Sequence, residues 1–293
     1  MCLLFFYVNN EAKEDEFRFI LVNNRDEYWD RPTKSAEKWN RESCISGFDQ
    51  QPEKEGGTWF GASKYGRVAC LVNISLPQDL TKRGRGFLVR DFLITPDNID
   101  VYAKRVAEEK DCYNGFSLTL IDLGLQGSGC QVYLVTNDKL ADAPVLKFQT
   151  PAHDFFAVGN SPLRYPWRKM SLGKERFMEI LKTHGRDVST KEMLVDSLFE
   201  LMFDKTKNMP DPQLESQAST CGWNQTSTEA ISSVFVWNPE TKYGTRTTTV
   251  LLVDGKGNCD YREKTLETPV STCHPKWSTK SFTFQLQPPN ASL

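Results

Sequence analysis

The sequence predicts an α+β domain built of layered sheets and helices. Three features predict it. Apolar, strand-like runs stand at both ends of the chain, helical periods lie between them, and the end strands are joined by short turns. Short turns make antiparallel hairpins, whereas a repeated βαβ unit needs long crossovers.

The elements follow in order. Residues 2–8 are a continuous apolar run closed by Asn9-Asn10, and residues 17–22 follow a charged turn at 11–16, which gives an N-terminal hairpin. Residues 58–60, among Gly56, Gly57 and Gly61, and residues 67–72 are short strands. Residues 87–94 and 98–109 have helical spacing, broken at Pro96-Asp97. Residues 116–122, 131–136 and 155–158 are strands. Residues 174–183 and 190–204 are helices, the second opening on Ser189-Thr190-Lys191-Glu192, a capping-box pattern. The polar, proline-broken stretch 208–228 is a long loop. Residues 233–237, 245–253, 259–264 and 281–286 return to strand, with Asp254-Gly255-Lys256-Gly257 as a hairpin turn. No repeat and no Gly-, Ser- or Pro-rich linker interrupts the chain, so a single domain over 1–287 with a tail at 288–293 is expected.

Composition excludes several classes. The 293 residues hold 36 Lys+Arg against 38 Asp+Glu, without the basic excess of a general nucleic-acid binder. Hydrophobic residues are 39%, too many for a disordered, highly charged chain. No run approaches the ~20 apolar residues of a transmembrane segment. The early run 3–8 is short and lacks preceding basic residues, unlike a signal peptide, so an intracellular soluble protein is expected. The eight cysteines form no C-x-x-C pair, and of the three histidines only His274 adjoins a cysteine, Cys273, so neither a disulfide framework nor a metal site is expected.

Cys2 is the first residue with chemistry to offer. Removal of Met1 exposes a thiol and an α-amine on one residue, and an amine of pKa about 8 can act as a base at neutral pH. The alternative is a cysteine buried on a strand. Asn23-Asn24-Arg25-Asp26-Glu27 follows the second strand. Arg25 can hold a thiolate and Asp26 can receive an amine, or the polar run can simply end the strand. In Lys54-Glu55-Gly56-Gly57-Thr58-Trp59, the glycines allow close backbone approach and Trp59 is core or pocket wall. Asn73 and Asn160 sit where strands end, as turn residues or as donors to an oxyanion. Arg83-Gly84-Arg85-Gly86 opens a helix, where an anion can be received. Arg246 leads a β-forming strand and can reach a cleft or water.

Together, Met1-Cys2, Asn24-Arg25-Asp26-Glu27, Lys54 to Trp59, Arg83 to Gly86, Tyr113-Asn114-Gly115-Phe116, Pro166-Trp167-Arg168-Lys169 and Tyr243-Gly244-Thr245-Arg246-Thr247 resemble the NRDE family, in the family's order. The resemblance implies a four-layered αββα sandwich related to N-terminal nucleophile hydrolases. It implies intracellular haem trafficking, links to lipid and acyl-CoA homeostasis and to Golgi organisation and secretion, and a place in cytosol, mitochondria and Golgi. More distantly, Cys2, Arg25, Asp26, Asn73, Asn160 and Arg246 resemble the site of choloylglycine-type hydrolases. Those enzymes place the aspartate three residues after the arginine, whereas here the two are adjacent. Neighbours on a strand point to opposite faces, so only a turn or bulge brings both to Cys2.

Two function classes follow. The first carries haem, or another lipidic ligand such as acyl-CoA, between donor and acceptor proteins. Haem needs an apolar slot and cations for its propionates, for which Trp59, Arg83, Arg85 and Trp167 are candidates. No C-x-x-C-H attachment motif is present, and the sequence assigns no axial ligand. The second is a thiol amidohydrolase of non-peptide C–N bonds, with Cys2 as nucleophile, its α-amine as base and no catalytic cofactor.

Overall fold

A computed structural model describes residues 2–41, 43–124, 129–149 and 153–288. In chain order the strands are β1 (Cys2–Asn9), β2 (Phe17–Tyr28), β3 (Thr33–Trp39), β4 (Cys44–Asp49), β5 (Phe60–Ser63), β6 (Arg67–Asn73), β7 (Phe116–Asp122), β8 (Gln131–Thr136), β9 (Val145–Phe148), β10 (His153–Val158), β11 (Trp237–Asn238), β12 (Tyr243–Asp254), β13 (Asn258–Leu266) and β14 (Trp277–Gln285). The helices are α1 (Gly86–Ile94), α2 (Ile99–Glu108), α3 (Arg168–His184), α4 (Lys191–Met202), α5 (Pro212–Cys221) and α6 (Gln225–Ile231). None is long and apolar enough to cross a membrane.

The strands form two sheets. The first runs β10-β1-β2-β12-β13-β14, with β11 paired to β12, and the second runs β3 to β9 in sequence order. Every pairing is antiparallel. Strands buried on both faces read as continuous apolar runs, which is the character of β1. Its Cys2, Leu4, Phe6 and Val8 point into a core shared by the two sheets, beside Phe60, Cys70 and Val72. Its Leu3 and Phe5 point the other way, onto Trp167, Met170 and Phe177 and the α4 residues Leu194 and Leu198. A third core lies under α1 and α2, where Val89, Phe92 and Tyr102 meet Leu118 and Leu120 of the second sheet. Helices therefore cover the outer face of each sheet, and the layers are αββα.

Several elements differ from the sequence reading. The polar run after residue 22 does not end β2: the ladder continues to Tyr28 because its buried side chains find partners on neighbouring elements. β3, β4 and β9 lie where no strand is expected, and β3 has only Ala36 buried along its length, too weak a period to read. Residues 208–228 are not a loop. Asp211 caps α5 by accepting from the Leu214 N–H at 3.0 Å, with Pro212 in the first turn. Gly222 (φ 69°) ends that helix, and Asn224 caps α6 through the Ser227 N–H at 2.8 Å. The capping box at 189–192 does not form: the cap position of α4 falls on Thr190, whose side chain makes no cap hydrogen bond. The strand expected at 233–237 shrinks to Trp237–Asn238. Most of the tail at 288–293 falls outside the described residues, and so does the middle of the turn between β7 and β8.

Candidate functional site

The site forms where β1 begins. Cys2 pairs with Arg25 across β1 and β2, and Asp26 pairs in turn with Thr245 of β12. Thr247 pairs with Arg25, so Arg246 is the extra residue of a bulge in β12. A bulge adds twist and re-aims a side chain, here at the head of the sheet. The Arg246 guanidinium is buried and donates to the carbonyls of Tyr28 at 3.2 Å and Arg31 at 2.5 Å.

Arg25 lies flat on the Trp59 indole, its Cζ 4.0 Å from the ring centroid, and stands 3.7 Å from Glu27. Trp59 arrives from the second sheet, where Gly47 makes room for it: a Cβ on Gly47 would sit 2.8 Å from the indole. Arg85 donates to the Gly115 carbonyl at 2.5 Å, and Glu27 is an anion that acts on it. Burial pulls Arg85 and Arg246 down to about 10, still charged at neutral pH. Burial pushes Glu27 up, but Arg25 and Arg31 outweigh it and hold the carboxyl below its ordinary value.

The two asparagines also meet Cys2. The Cys2 nitrogen donates to Asn160 Oδ1 at 3.0 Å, and Asn160 Nδ2 donates to the Asn73 carbonyl. Asn160 therefore presents an acceptor to residue 2, and one of its two amide N–H donors is committed. Asn73 contributes a backbone carbonyl to this chain of contacts. Burial raises the Cys2 thiol above its ordinary value, so it is protonated at neutral pH.

Asp26 lies on the other face of β2. Its Oδ1 accepts from the Thr245 hydroxyl at 2.7 Å, which itself accepts from the Val236 N–H at 2.9 Å. The Asp26 backbone N–H hydrogen-bonds the Cys2 thiol, and the Asp26 carboxylate acts on that thiol as a charge. The bulge is on β12 and not on β2, so strand alternation still separates the two side chains.

Two candidates stand elsewhere. Trp167 is fully buried in the core between the first sheet and its helices, with Nε1 donating to Gln217 at 2.7 Å. It faces α5 because it directly precedes α3. Arg83 is exposed and paired with Glu109 at 3.1 Å, since the residue before Gly84 turns outward. Sequence reasoning overlooked Asn24, Thr245 and Lys169, which are buried on the helix side of the same strands. Lys169 was within reach, as a lysine in the first turn of a helix that buries Met170 and Phe177.

Fold and site define a four-layered αββα protein with a cysteine at the head of its first strand and buried arginines around it. The chain belongs to the Transport and Golgi organisation 2 family, whose sequence model matches residues 1–268. It is 35% identical to the human Transport and Golgi organization protein 2 homolog over 290 residues, 98% of this chain and 100% of that protein. It is 32% identical to Transport and Golgi organization protein 2 of Drosophila melanogaster over 275 residues, 91% of this chain and 92% of that protein. Among solved structures it is similar to a Caenorhabditis elegans N-acylethanolamine-hydrolyzing acid amidase ortholog (TM-score 0.47, 12% identity, 85% of this chain and 92% of that one). It is also similar to the C2A mutant of conjugated bile acid hydrolase from Clostridium perfringens (TM-score 0.44, 10% identity, 97% of each chain).

Proposed function

We propose that this chain carries haem inside the cell, taking it from membranes or organelles and passing it to acceptor proteins. The observation that carries the reading is a pair of buried cations with donors to spare. Arg25 Nη1 and Arg246 Nε have no hydrogen-bond partner among the described residues. Buried polar groups are normally satisfied, and a guanidinium is shaped to hold a carboxylate. Two such groups suit the two propionates of haem, and Trp59 offers an apolar face beside them. Acyl-CoA, with its phosphates and acyl chain, is the second ligand this chemistry suits. Cytoplasm, mitochondria and Golgi are the proposed locations, and links to lipid homeostasis and secretion follow from the same family reading.

The test is a titration of the purified protein with haem and with long-chain acyl-CoA, followed by transfer to an apo-haemoprotein. Arg25→Gln and Arg246→Gln should each weaken haem binding at least about tenfold, the loss of one charge-assisted contact. Equal affinity in wild type and both variants would overturn the reading.

A cysteine amidohydrolase is the second reading, favoured by the contact between the Cys2 nitrogen and Asn160 Oδ1. That nitrogen becomes the α-amine once Met1 is removed. The protonated thiol counts against it. Hydrolysis of acylated amines by wild type, abolished in Cys2→Ser, would establish it in place of the carrier.

A further inference from the structure

Arg25 already has a counter-ion, and the two are loosely paired. Glu27 Oε2 lies 3.7 Å from Arg25 Nη2 and 3.6 Å from Arg31 Nε, so one oxygen serves two guanidinium groups. Both distances exceed the roughly 2.7–2.9 Å of a charge-assisted hydrogen bond. Asp49 provides the contrast. It takes Arg31 with two contacts, Oδ2 to Nη2 at 2.6 Å and Oδ1 to Nε at 3.3 Å. Arg31 is thus held firmly by Asp49, whereas Glu27 leaves Arg25 Nη1 without a hydrogen-bond partner among the described residues.

The geometry also shows how the pair opens. Arg25 and Glu27 are two residues apart on β2, so their side chains share one face of the strand. The Glu27 side chain is 20% exposed and that of Arg25 5%, so water reaches the carboxylate more readily than the guanidinium. Glu27 Oε1 accepts from the Tyr28 N–H at 3.0 Å, an anchor that does not involve Arg25. When Oε2 leaves Arg25, Arg31 still stands beside it, and the carboxylate is not left bare. A buried guanidinium with no anion at all is costly, and one gripped by two short bonds accepts no other anion. Glu27 lies between these extremes. Resting on the reading of Arg25 as an anion seat, we propose that Glu27 is an internal competitor for that seat: its carboxylate balances Arg25 while the site is free, and an arriving carboxylate or phosphate displaces it towards Arg31. Glu27 then determines specificity and release. A ligand must offer an oxyanion that bonds Arg25 better than Glu27 does, and the returning carboxylate helps to expel it. Arg25 is the charge that most strongly opposes the effect of burial on Glu27, which keeps the competitor ionised at neutral pH.

The test uses the full chain as wild type, Glu27→Gln, Arg25→Gln and the double variant. Each is titrated with haem, haem dimethyl ester, palmitoyl-CoA and inorganic pyrophosphate. Glutamine keeps the length of the side chain and the acceptor for the Tyr28 N–H but removes the charge. Glu27→Gln should bind haem, palmitoyl-CoA and pyrophosphate about threefold more tightly than wild type, the scale of one partly exposed ion pair. It should release haem to an apo-haemoprotein more slowly. The dimethyl ester lacks the carboxylates and should bind both proteins alike. The gain should vanish in the double variant, which should match Arg25→Gln. Affinities for all three anions at or below wild type, or a gain that persists without Arg25 or extends to the ester, would overturn the inference. If Glu27→Gln does not fold, Glu27→Asp decides in its place: its shorter side chain draws the carboxylate back from Arg25 and should tighten binding in the same direction. Weaker haem binding in Arg25→Gln with no gain in Glu27→Gln keeps the carrier reading and sinks this one. A wild type that binds neither haem nor palmitoyl-CoA sinks the carrier reading, and pyrophosphate then decides the competition at Arg25.

Discussion

Along β2, the apolar residues of 17–22 and residues 23–26 are almost equally removed from water, yet they are chemically opposite. Phe17, Phe19, Ile20, Leu21 and Val22 are at most 2% exposed, and Asn23, Asn24, Arg25 and Asp26 at most 4%. The apolar half gains from burial itself and asks little of its neighbours beyond shape. The polar half is stable only if each group finds a partner. Asn24 does so completely: it donates to the Met202 and Val234 carbonyls at 2.8 and 3.1 Å and accepts from Thr248 at 2.6 Å. Arg25 does not: its Nη1 has no hydrogen-bond partner among the described residues, while its guanidinium stands over Trp59.

This contrast can be broken experimentally, beginning with the largest effect. Phe19→Ala removes an aromatic ring from the core between the sheets and should cost about 4 kcal/mol in chemical denaturation. Asn24→Ala leaves two buried carbonyls and a hydroxyl without their partner and should cost about 3 kcal/mol, close to the ring despite far less area. A cost near that of a surface substitution would mean that the polar half of β2 is not held as described.

A smaller effect should appear with acid. Burial alone would raise Asp260, but hydrogen bonds from Arg262 and Lys191, at 2.9 Å each, outweigh it and hold the carboxyl below its ordinary value. Its folded pKa is thus below the unfolded one, so its stabilisation is full above the unfolded pKa, about 3.9, and is lost as pH falls through the folded value. Asp260→Asn should therefore flatten the stability decline at and below pH of about 4 while leaving its shape at neutral pH unchanged. Arg83→Ala, at an exposed pair with Glu109, should change stability by no more than about 0.5 kcal/mol and leave haem affinity unaltered. A loss of haem binding in that variant would return Arg83 to the site.

Local pattern and composition determined a good part of this protein. The apolar run of β1, the β-forming run of β12 and the turn at 254–257 were legible because each depends on neighbours in sequence. The turn closes as expected, with the Gly257 N–H donating to the Asp254 carbonyl at 3.0 Å and φ at 83°. Cys2, Arg25, Asn160 and Arg246 could be named as residue types with chemistry to offer. Only the tertiary structure decided what those residues meet. The cap that makes α5 a helix looked like a loop because Asp211 and Pro212 also suit turns. The polar end of β2 could have been a turn until the Met202 and Val234 carbonyls, about 180 and 210 positions away, met Asn24. The bulge that brings Arg246 to Arg25 is a property of the register between two strands, not of either strand's composition. The physical reason is common to all of these: periodicity and propensity act over a few residues, whereas the cost of burying a charge or an amide is set by whatever the fold places against it.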